Sequence, residues 1–267
     1  MVNQIPPTVN IQAVSFPEAW YKAVKECMKN GALKKRFYDK PVNTKDIISL
    51  IEVQDPLREP MLHQDFPTRE LHLQEYIKQF ERGYDWKKQG FAYNYVDRLI
   101  NYPITEISSR SDGYFKINGR PFTNSIDQIK AIKDKISDRI KKGGDCLVSN
   151  RDFVITWTPE RDLFVSEDQP CLQSIQFFIY SFPAIYENDI IPGKGEFIVH
   201  WRSRDLYSAW NSNMIALTLF LKKEVFDPNN IKIMRCIDFC GSLHIYESDW
   251  ESAKKVKPVA VNPMNMR

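Results

Sequence analysis

The sequence predicts an α+β fold in which a large mixed sheet is packed by helices, and three observations predict it. Three strand-like runs follow one another from residue 152 onward. A long helical stretch then separates them from two more extended runs. The hydrophobic fraction of 43%, with 13% aromatic, supplies a core large enough to cover such a sheet. The 267 residues suit one domain spanning 1–267. Charged residues make up 27% and are well mixed by sign, which argues against wholesale disorder. A net charge of +3 falls short of the dense basic patch that nucleic acid demands, so no obligatory nucleic-acid partner is expected, and it suits a small anionic ligand.

The elements follow in chain order. Ser15 and Glu18 form a capping-box pair, and Trp20, Ala23, Val24 and Cys27 recur on one face up to Gly31, which predicts an N-terminal helix. "DIISLIEVQDP" reads as a strand ended by Asp55 and Pro56, because proline cannot donate to a ladder. Residues 60–83 are mainly helical in pattern. Residues 86–122 are aromatic, glycine-punctuated and poorly periodic, which predicts a partly irregular excursion near a ligand or an interface. In "SIDQIKAIKDKISDRIKK", Ser125 and Gln128 read as a capping box and Ile126, Ile129, Ile132, Ile136 and Ile140 as the buried stripe. The strands "DFVITWTP", "SIQFFIYSF" and "GEFIVHWRS" come next. A second long helix over 206–223, the strand "IKIMRCIDF" and the segment "GSLHIYESD" complete the chain.

Cys27, Cys146, Cys171, Cys236 and Cys240 are odd in number with no secretory leader ahead of them, so reduced thiols and a cytoplasmic location are expected. No window approaches the roughly 20 apolar residues that span a bilayer. His63, His72, His200 and His244 show no metal-ligand spacing, and Cys236 with Cys240 lacks a second pair. No metal site is expected.

Three segments can carry chemistry. Cys171 in "DQPCLQSIQFFIY" follows the polar turn Asp168, Gln169 and Pro170 and precedes an apolar run. Buried filling and a nucleophile at the mouth of a strand are both open, and a nucleophile would need a cation or donors to become a thiolate. "HWRSRDLYSAWNSNM" clusters Arg202, Ser203, Arg204, Asp205, Asn211 and Asn213 where a strand meets a helix. Arg202 with Ser203 suits a phosphate, and an ordinary polar strand end is the competing account. In "CGSLHIYESD", His244 and Tyr246 stand two apart and so share a strand face, where they could meet sugar hydroxyls or form a structural aromatic ladder.

Taken together, "QPCLQSIQF", "HWRSRDLYSAW" with the following "NM", and "LHIYESD" resemble the thymidylate synthase family, most closely its divergent archaeal branch. "EVQDPLREP", "YNYVDRLINYP" and "DQI" fit the same branch, so the resemblance covers roughly residues 50–250. It implies a thymidylate synthase-like fold and a homodimeric enzyme that adds a one-carbon unit to C5 of a pyrimidine nucleotide, with 5,10-methylenetetrahydrofolate as cosubstrate. By the same resemblance Cys171 would add to C6, while Arg202, Ser203 and Arg151 would hold phosphate. Asp205 would support the nucleotide–folate assembly, with Ala209 in the folate wall. Asn213 would read the uracil edge, His244 and Tyr246 would contact the deoxyribose, and Tyr95 would be the active-site tyrosine.

The sequence also departs from the family. Leu172 follows the nucleophile in place of histidine, Trp201 replaces glutamine, Ala209 replaces glycine and Ser212 replaces phenylalanine. Glu59, Glu70 and Glu75 compete for the catalytic glutamate, and the tail "NPMNMR" does not match the family's closing segment. A 5-hydroxymethylase acting on deoxyuridylate or deoxycytidylate with the same folate is the alternative of like chemistry. A non-catalytic nucleotide- or RNA-binding regulator is the alternative of another class.

Overall fold

The computed structural model describes residues 4–37, 40–68, 70–103, 125–143, 149–163, 169–187 and 189–259. Residues 104–122 of the expected excursion, Cys146, Asp168 and the tail at 262–267 lie outside them. In chain order the elements are β1 (Thr8–Ala13), α1 (Phe16–Asn30), β2 (Ala32–Phe37), β3 (Pro41–Val53), α2 (Glu70–Lys78), α3 (Tyr95–Ile100), β4 (Tyr102–Pro103), β5 (Ser125–Ile126) and α4 (Gln128–Lys142). They continue with β6 (Phe153–Ile155), α5 (Pro159–Asp162), β7 (Leu172–Ser181), β8 (Ala184–Tyr186), β9 (Asp189–Ile191), β10 (Gly193–Trp201), β11 (Arg204–Asp205), α6 (Trp210–Leu221), β12 (Ile231–Tyr246) and α7 (Trp250–Lys255).

One mixed sheet runs β1-β3-β12-β10-β7-β6, with β2 beside β3 and β11 beside β12. β10 and β12 are parallel because α6 crosses between them, whereas β7 and β10 are antiparallel. One face carries Ile51, Val53, Ile175, Phe177, Phe197 and Val199, all buried under helices. The other face carries Ile48, Leu50, Phe178, Ile198, Ile237 and Phe239, which are half-buried or exposed. This is the expected α+β architecture.

Local details differ where a competing interaction wins. In α1 the buried face is Trp20, Ala23, Val24 and Cys27 as expected, but Ser15 makes no side-chain cap. Glu18 reaches past it to accept from the Val14 amide at 2.8 Å. The cap of α4 is Asp127, which accepts from the Lys130 amide at 2.8 Å. Ser125 and Ile126 pair instead with Tyr102 and Pro103, so Ile126 is exposed rather than part of the stripe. Gln128 is drawn off to both backbone groups of Ile155, at 2.7 and 3.0 Å, and ties α4 to the sheet edge.

The expected helix over 60–83 shrinks to α2, since Pro60 and Pro67 cannot continue a helical ladder. The turns ahead of it are pinned by Asn211 of α6, which accepts from the His63 amide at 3.1 Å and donates to the Met61 carbonyl at 3.0 Å. The helix expected over 206–223 starts only at Trp210, because residues 204–205 pair with β12. The extended run at 231–239 and the first part of that at 241–249 form one 16-residue strand, whose register shifts between Cys240 and Leu243, and Glu247–Asp249 form a 3-10 turn after it. Gly241 sits at that shift, where a Cβ would approach the Arg202 carbonyl to 3.3 Å.

A buried ion pair holds the strand-to-helix corner. Arg204 and Asp238 are 3% and 0% exposed and bonded to each other, and Trp210 Nε1 donates to the same carboxylate at 2.7 Å. The guanidinium lies 4.2 Å from the Trp201 ring centroid and 5.6 Å from that of Trp210. Removing one charge leaves the other desolvated and unpaired, which costs about 3–5 kcal/mol. Asp238→Ala should therefore lower urea-unfolding stability by about that much, and Arg204→Met combined with Asp238→Leu by distinctly less. Equal losses in the two proteins would refute the role of the uncompensated charge.

Candidate active site

The segment ahead of β7 is held by Arg202. Its Nε donates to the Pro170 carbonyl at 3.0 Å and its Nη2 to the Gln169 carbonyl at 2.6 Å, while its backbone amide donates to the Cys171 carbonyl at 2.9 Å. The guanidinium thus grips the turn that presents the thiol, and of its five N–H donors these bonds use two. Its remaining donors belong to an exposed side chain. From the other side Gln169 donates to the Asp162 carbonyl at 2.6 Å. Asp162 in turn is paired bidentately with buried Arg98 of α3 at 2.8 and 3.0 Å. The same ion pair therefore fixes the approach to Cys171 and the helix that carries Tyr95.

Cys171 differs from the other described cysteines. Cys27 and Cys240 are fully buried and burial pushes their thiols up to about 12; Cys236 is raised by the same cause. Cys171 alone among the four is half-buried, and all four are unpaired. The phenols of Tyr76 and Tyr95 both lie within electrostatic reach of its thiol. Burial raises both phenols, so they remain donors across the neutral range. The Tyr95 ring meets buried Trp201 edge-on at 5.5 Å, and its hydroxyl lies 3.4 Å from that of Tyr93. Asn213, 7% exposed on the first turn of α6, donates from Nδ2 to the Tyr76 hydroxyl at 2.5 Å. A thiol, two phenols and an amide therefore share one locality beside Trp201.

The second group lies along β11 and β12. Asp205 is opposite His244 in the ladder, and its carboxylate accepts from the Ser208 amide at 3.0 Å. Burial pushes its carboxyl up to about 6, and Asp249 adds to the shift. His244 Nδ1 is 3.1 Å from the Ser242 carbonyl, while its buried Nε2 has no partner. Burial, with Arg36 nearby, pushes His244 down to about 4, so the ring is neutral. Its ring meets Tyr246 edge-on at 5.0 Å. Ala209 precedes α6, and its carbonyl accepts from the Asn213 amide at 2.9 Å. Ser203 is half-buried between Arg202 and Arg204. Arg151 stands apart, exposed in the turn before β6, with its backbone amide on Ser149 Oγ at 3.2 Å.

The three competing glutamates are all exposed. Glu59 and Glu70 border a separate cavity of about 440 Å³, whose lining includes Met61, His63, Leu73 and Ile215 but neither Cys171 nor Asn213. Sequence reasoning missed Tyr76 and Arg98. Tyr76 has the spacing of an ordinary core aromatic four residues before Phe80, and Arg98 acquires its meaning only from Asp162, 64 residues away. Among the described residues no group of three or more histidine, cysteine or acidic side chains is placed to hold a metal ion. No described helix is long and apolar enough to cross a membrane.

Two outcomes follow from these environments. In a Cys146→Ser background, iodoacetamide should alkylate Cys171 in the native protein and reach Cys27, Cys236 and Cys240 only on unfolding; peptide mass mapping reads the sites, and early labelling of Cys27 would contradict the burial argument. The Asp205 carboxyl binds its proton more tightly folded than unfolded, so between about pH 3.8 and 6 stability falls as pH rises. Asp205→Asn should then be more stable than the parent above pH 6, by up to about 3 kcal/mol, with the advantage vanishing towards pH 4. Denaturant titrations across that range would show it, and a constant difference would exclude it.

No protein-family model matches the chain. It is 26% identical over 254 residues to a protein of Methanocaldococcus jannaschii, covering 93% of this chain and 96% of that one. It is 23% identical over 262 residues to one of Methanothermobacter marburgensis, covering 92% and 96%. Each carries the name "Putative thymidylate synthase". Among solved structures, thermostable thymidylate synthase A from Bacillus subtilis superposes with a TM-score of 0.58 at 14% identity, over 91% of this chain and 83% of that one. The chain is a distant homologue of the two named proteins and has the mixed α/β fold of thymidylate synthase.

Proposed function

We propose that the protein is a thymidylate synthase-like enzyme that methylates deoxyuridylate at uracil C5 through a covalent bond between Cys171 and C6. The observation that carries this reading is the convergence of the half-buried Cys171 thiol, the Tyr76 and Tyr95 phenols and the Asn213 amide on one locality, with the Arg202 guanidinium on the turn beside the thiol. The distant homologues named for this activity and the shared fold support it.

In this reading Arg202, Ser203 and Arg151 bind the phosphate, while His244 and Tyr246 meet the deoxyribose. The Cys171 thiolate forms the Sγ–C6 bond, and the C5–C6 π electrons move into an enolate that ends on O4. Asn213 hydrogen-bonds to N3–H and O4, where that charge develops, so its contribution is largest in the transition state. 5,10-Methylenetetrahydrofolate supplies the one-carbon unit and, for a methyl product, the hydride, giving dihydrofolate. Asp205 and Ala209 fit its place: the partly exposed Asp205 carboxyl accepts from the Ser208 amide, one residue before the short Ala209 side chain ahead of α6. Loss of the C5 proton and expulsion of Cys171 restore the double bond. Trp201 and the raised phenols keep the neighbourhood apolar and help to exclude water, which would otherwise compete at the new methylene and give the hydroxymethyl product.

The apolar run from Leu50 through Phe239 and Ile198 to Phe178, half-buried or exposed among the described residues, supports a homodimer. Arg151 stands at the edge of that sheet, where it could reach a partner's phosphate. Free thiols suit a cytoplasmic setting.

Product mass and folate absorbance followed in one reaction of deoxyuridylate with methylenetetrahydrofolate should give thymidylate and dihydrofolate in equal amounts. A product one oxygen heavier, with no dihydrofolate, would select the hydroxymethylase instead. Cys171→Ala should keep nucleotide affinity within roughly tenfold and lose essentially all turnover. Turnover equal to the parent would overturn the assignment.

A further inference from the structure

The side chain packed against the amide assigned to base reading is a phenol, and none of the three competing carboxylates reaches it. Asn213 Nδ2 donates to the Tyr76 hydroxyl at 2.5 Å. At 7% exposure the amide cannot readily trade that bond for bulk water. Tyr76 is itself held: its ring meets Phe80 edge-on at 5.5 Å, and Phe80 meets Phe220 of α6 at 6.4 Å. The helix carrying the phenol and the helix carrying the amide are thereby braced at two points.

An amide can read a pyrimidine edge in two senses. Oxygen opposite N3–H with nitrogen opposite O4 matches uracil, and the reverse matches cytosine. An unsupported asparagine turns between the two senses at little cost. Here one N–H of the amide nitrogen is committed to the phenol, which leaves the other N–H and Oδ1 for a ligand. The buried Arg204 cation is within electrostatic reach of the phenol. It favours a hydroxyl whose oxygen faces the protein's donors and whose proton points away, so the phenol accepts from the amide nitrogen. Turning the amide would set Oδ1 against that oxygen until the hydroxyl proton swung round to donate to it, against the preference that the Arg204 cation imposes.

We propose that Tyr76, through its hydrogen bond to Asn213, fixes which end of the amide faces the base, and is a positioning residue for the choice between uracil and cytosine. The inference rests on the nucleotide reading above and deepens it. Tyr76→Phe removes one oxygen and keeps the ring contact with Phe80, so the fold is retained and the amide is released.

Binding by a Cys171→Ala protein separates this from chemistry. Calorimetric titration with deoxyuridylate and deoxycytidylate should favour deoxyuridylate at least tenfold, and adding Tyr76→Phe should shrink that ratio at least fivefold, with thermal unfolding little changed. In an Asn213→Ala background the same substitution should leave the ratio within twofold, since no amide remains to be oriented. An unchanged ratio in the Asn213 protein would overturn the inference and leave the nucleotide reading intact. A preference for deoxycytidylate that collapses on Tyr76→Phe would support the inference and move the substrate to cytosine. Failure of the Cys171→Ala protein to bind either nucleotide at millimolar concentration would overturn both.

Discussion

The strand-to-helix corner depends on the Arg204–Asp238 pair. A fully buried guanidinium is tolerated only because a carboxylate, two indole rings and the Met214 sulfur at 3.3 Å surround it. That one contact joins β11, β12 and α6, and it fixes where β10 must stop. Arg202 is then exposed and Ser203 half-buried at a strand end rather than continued into the sheet, and α6 begins with Asn211 and Asn213 turned to either side. Asn211 secures the turns before α2, and α2 carries Tyr76 back to Asn213. The candidate site is thus assembled around a charge that itself never meets solvent.

A second buried pair, Arg98–Asp162, does the corresponding work for the thiol. Through Asp162 it reaches Gln169, and through α3 it reaches Tyr95, so the turn ahead of Cys171 and the aromatic wall share one anchor. Arg202 closes the arrangement from the sheet side by occupying the carbonyls of Gln169 and Pro170. The Pro170 carbonyl also accepts from Gln173 Nε2 at 3.0 Å, so these acceptors are held in place beside the thiol that the proposed reaction turns into an anion. The guanidinium satisfies them and leaves a positive edge facing outward.

Much of this was legible in the sequence, and the illegible part has a common cause. The strands around Cys171 and Trp201, the helix stripe of Trp20 to Cys27 and the isoleucine stripe of α4 were readable because their burial repeats locally. Both capping boxes were misassigned because Glu18 and Gln128 have backbone partners outside the local motif, at Val14 and at Ile155. The stretch over 60–83 imitated a helix in its apolar spacing, but its prolines decide. β12 was read as two segments because Gly241 and Ser242 look like a turn; in the fold they are a bulge that lets the strand pass the Arg202 carbonyl. Chemistry-bearing residues stood out where they cluster in sequence. Tyr76 did not, because its partner lies 137 residues away and a helical tyrosine beside Phe80 reads as core.

The charges left near the site explain why those long-range partners are phenols and amides. Asp205 and His244 face each other across a parallel ladder, and burial drives both towards neutrality, the carboxyl up and the imidazole down. In the proposed reading an anionic nucleotide meets the exposed Arg202 guanidinium on one side and Arg36, paired with Asp46, on the His244 side, while the groups proposed to face the base, Asn213 and the two phenols, are neutral dipoles. Dipoles stabilise a developing enolate only if they are already aligned, since realignment during the reaction would consume what they supply. In the proposed reaction, a carboxylate beside the amide would add a negative charge where the enolate forms and would raise the cost of that step. A phenol with its acidity suppressed by burial supplies a fixed donor–acceptor without that charge, which makes Tyr76 a physically better neighbour for Asn213 than any of the glutamates the sequence offered.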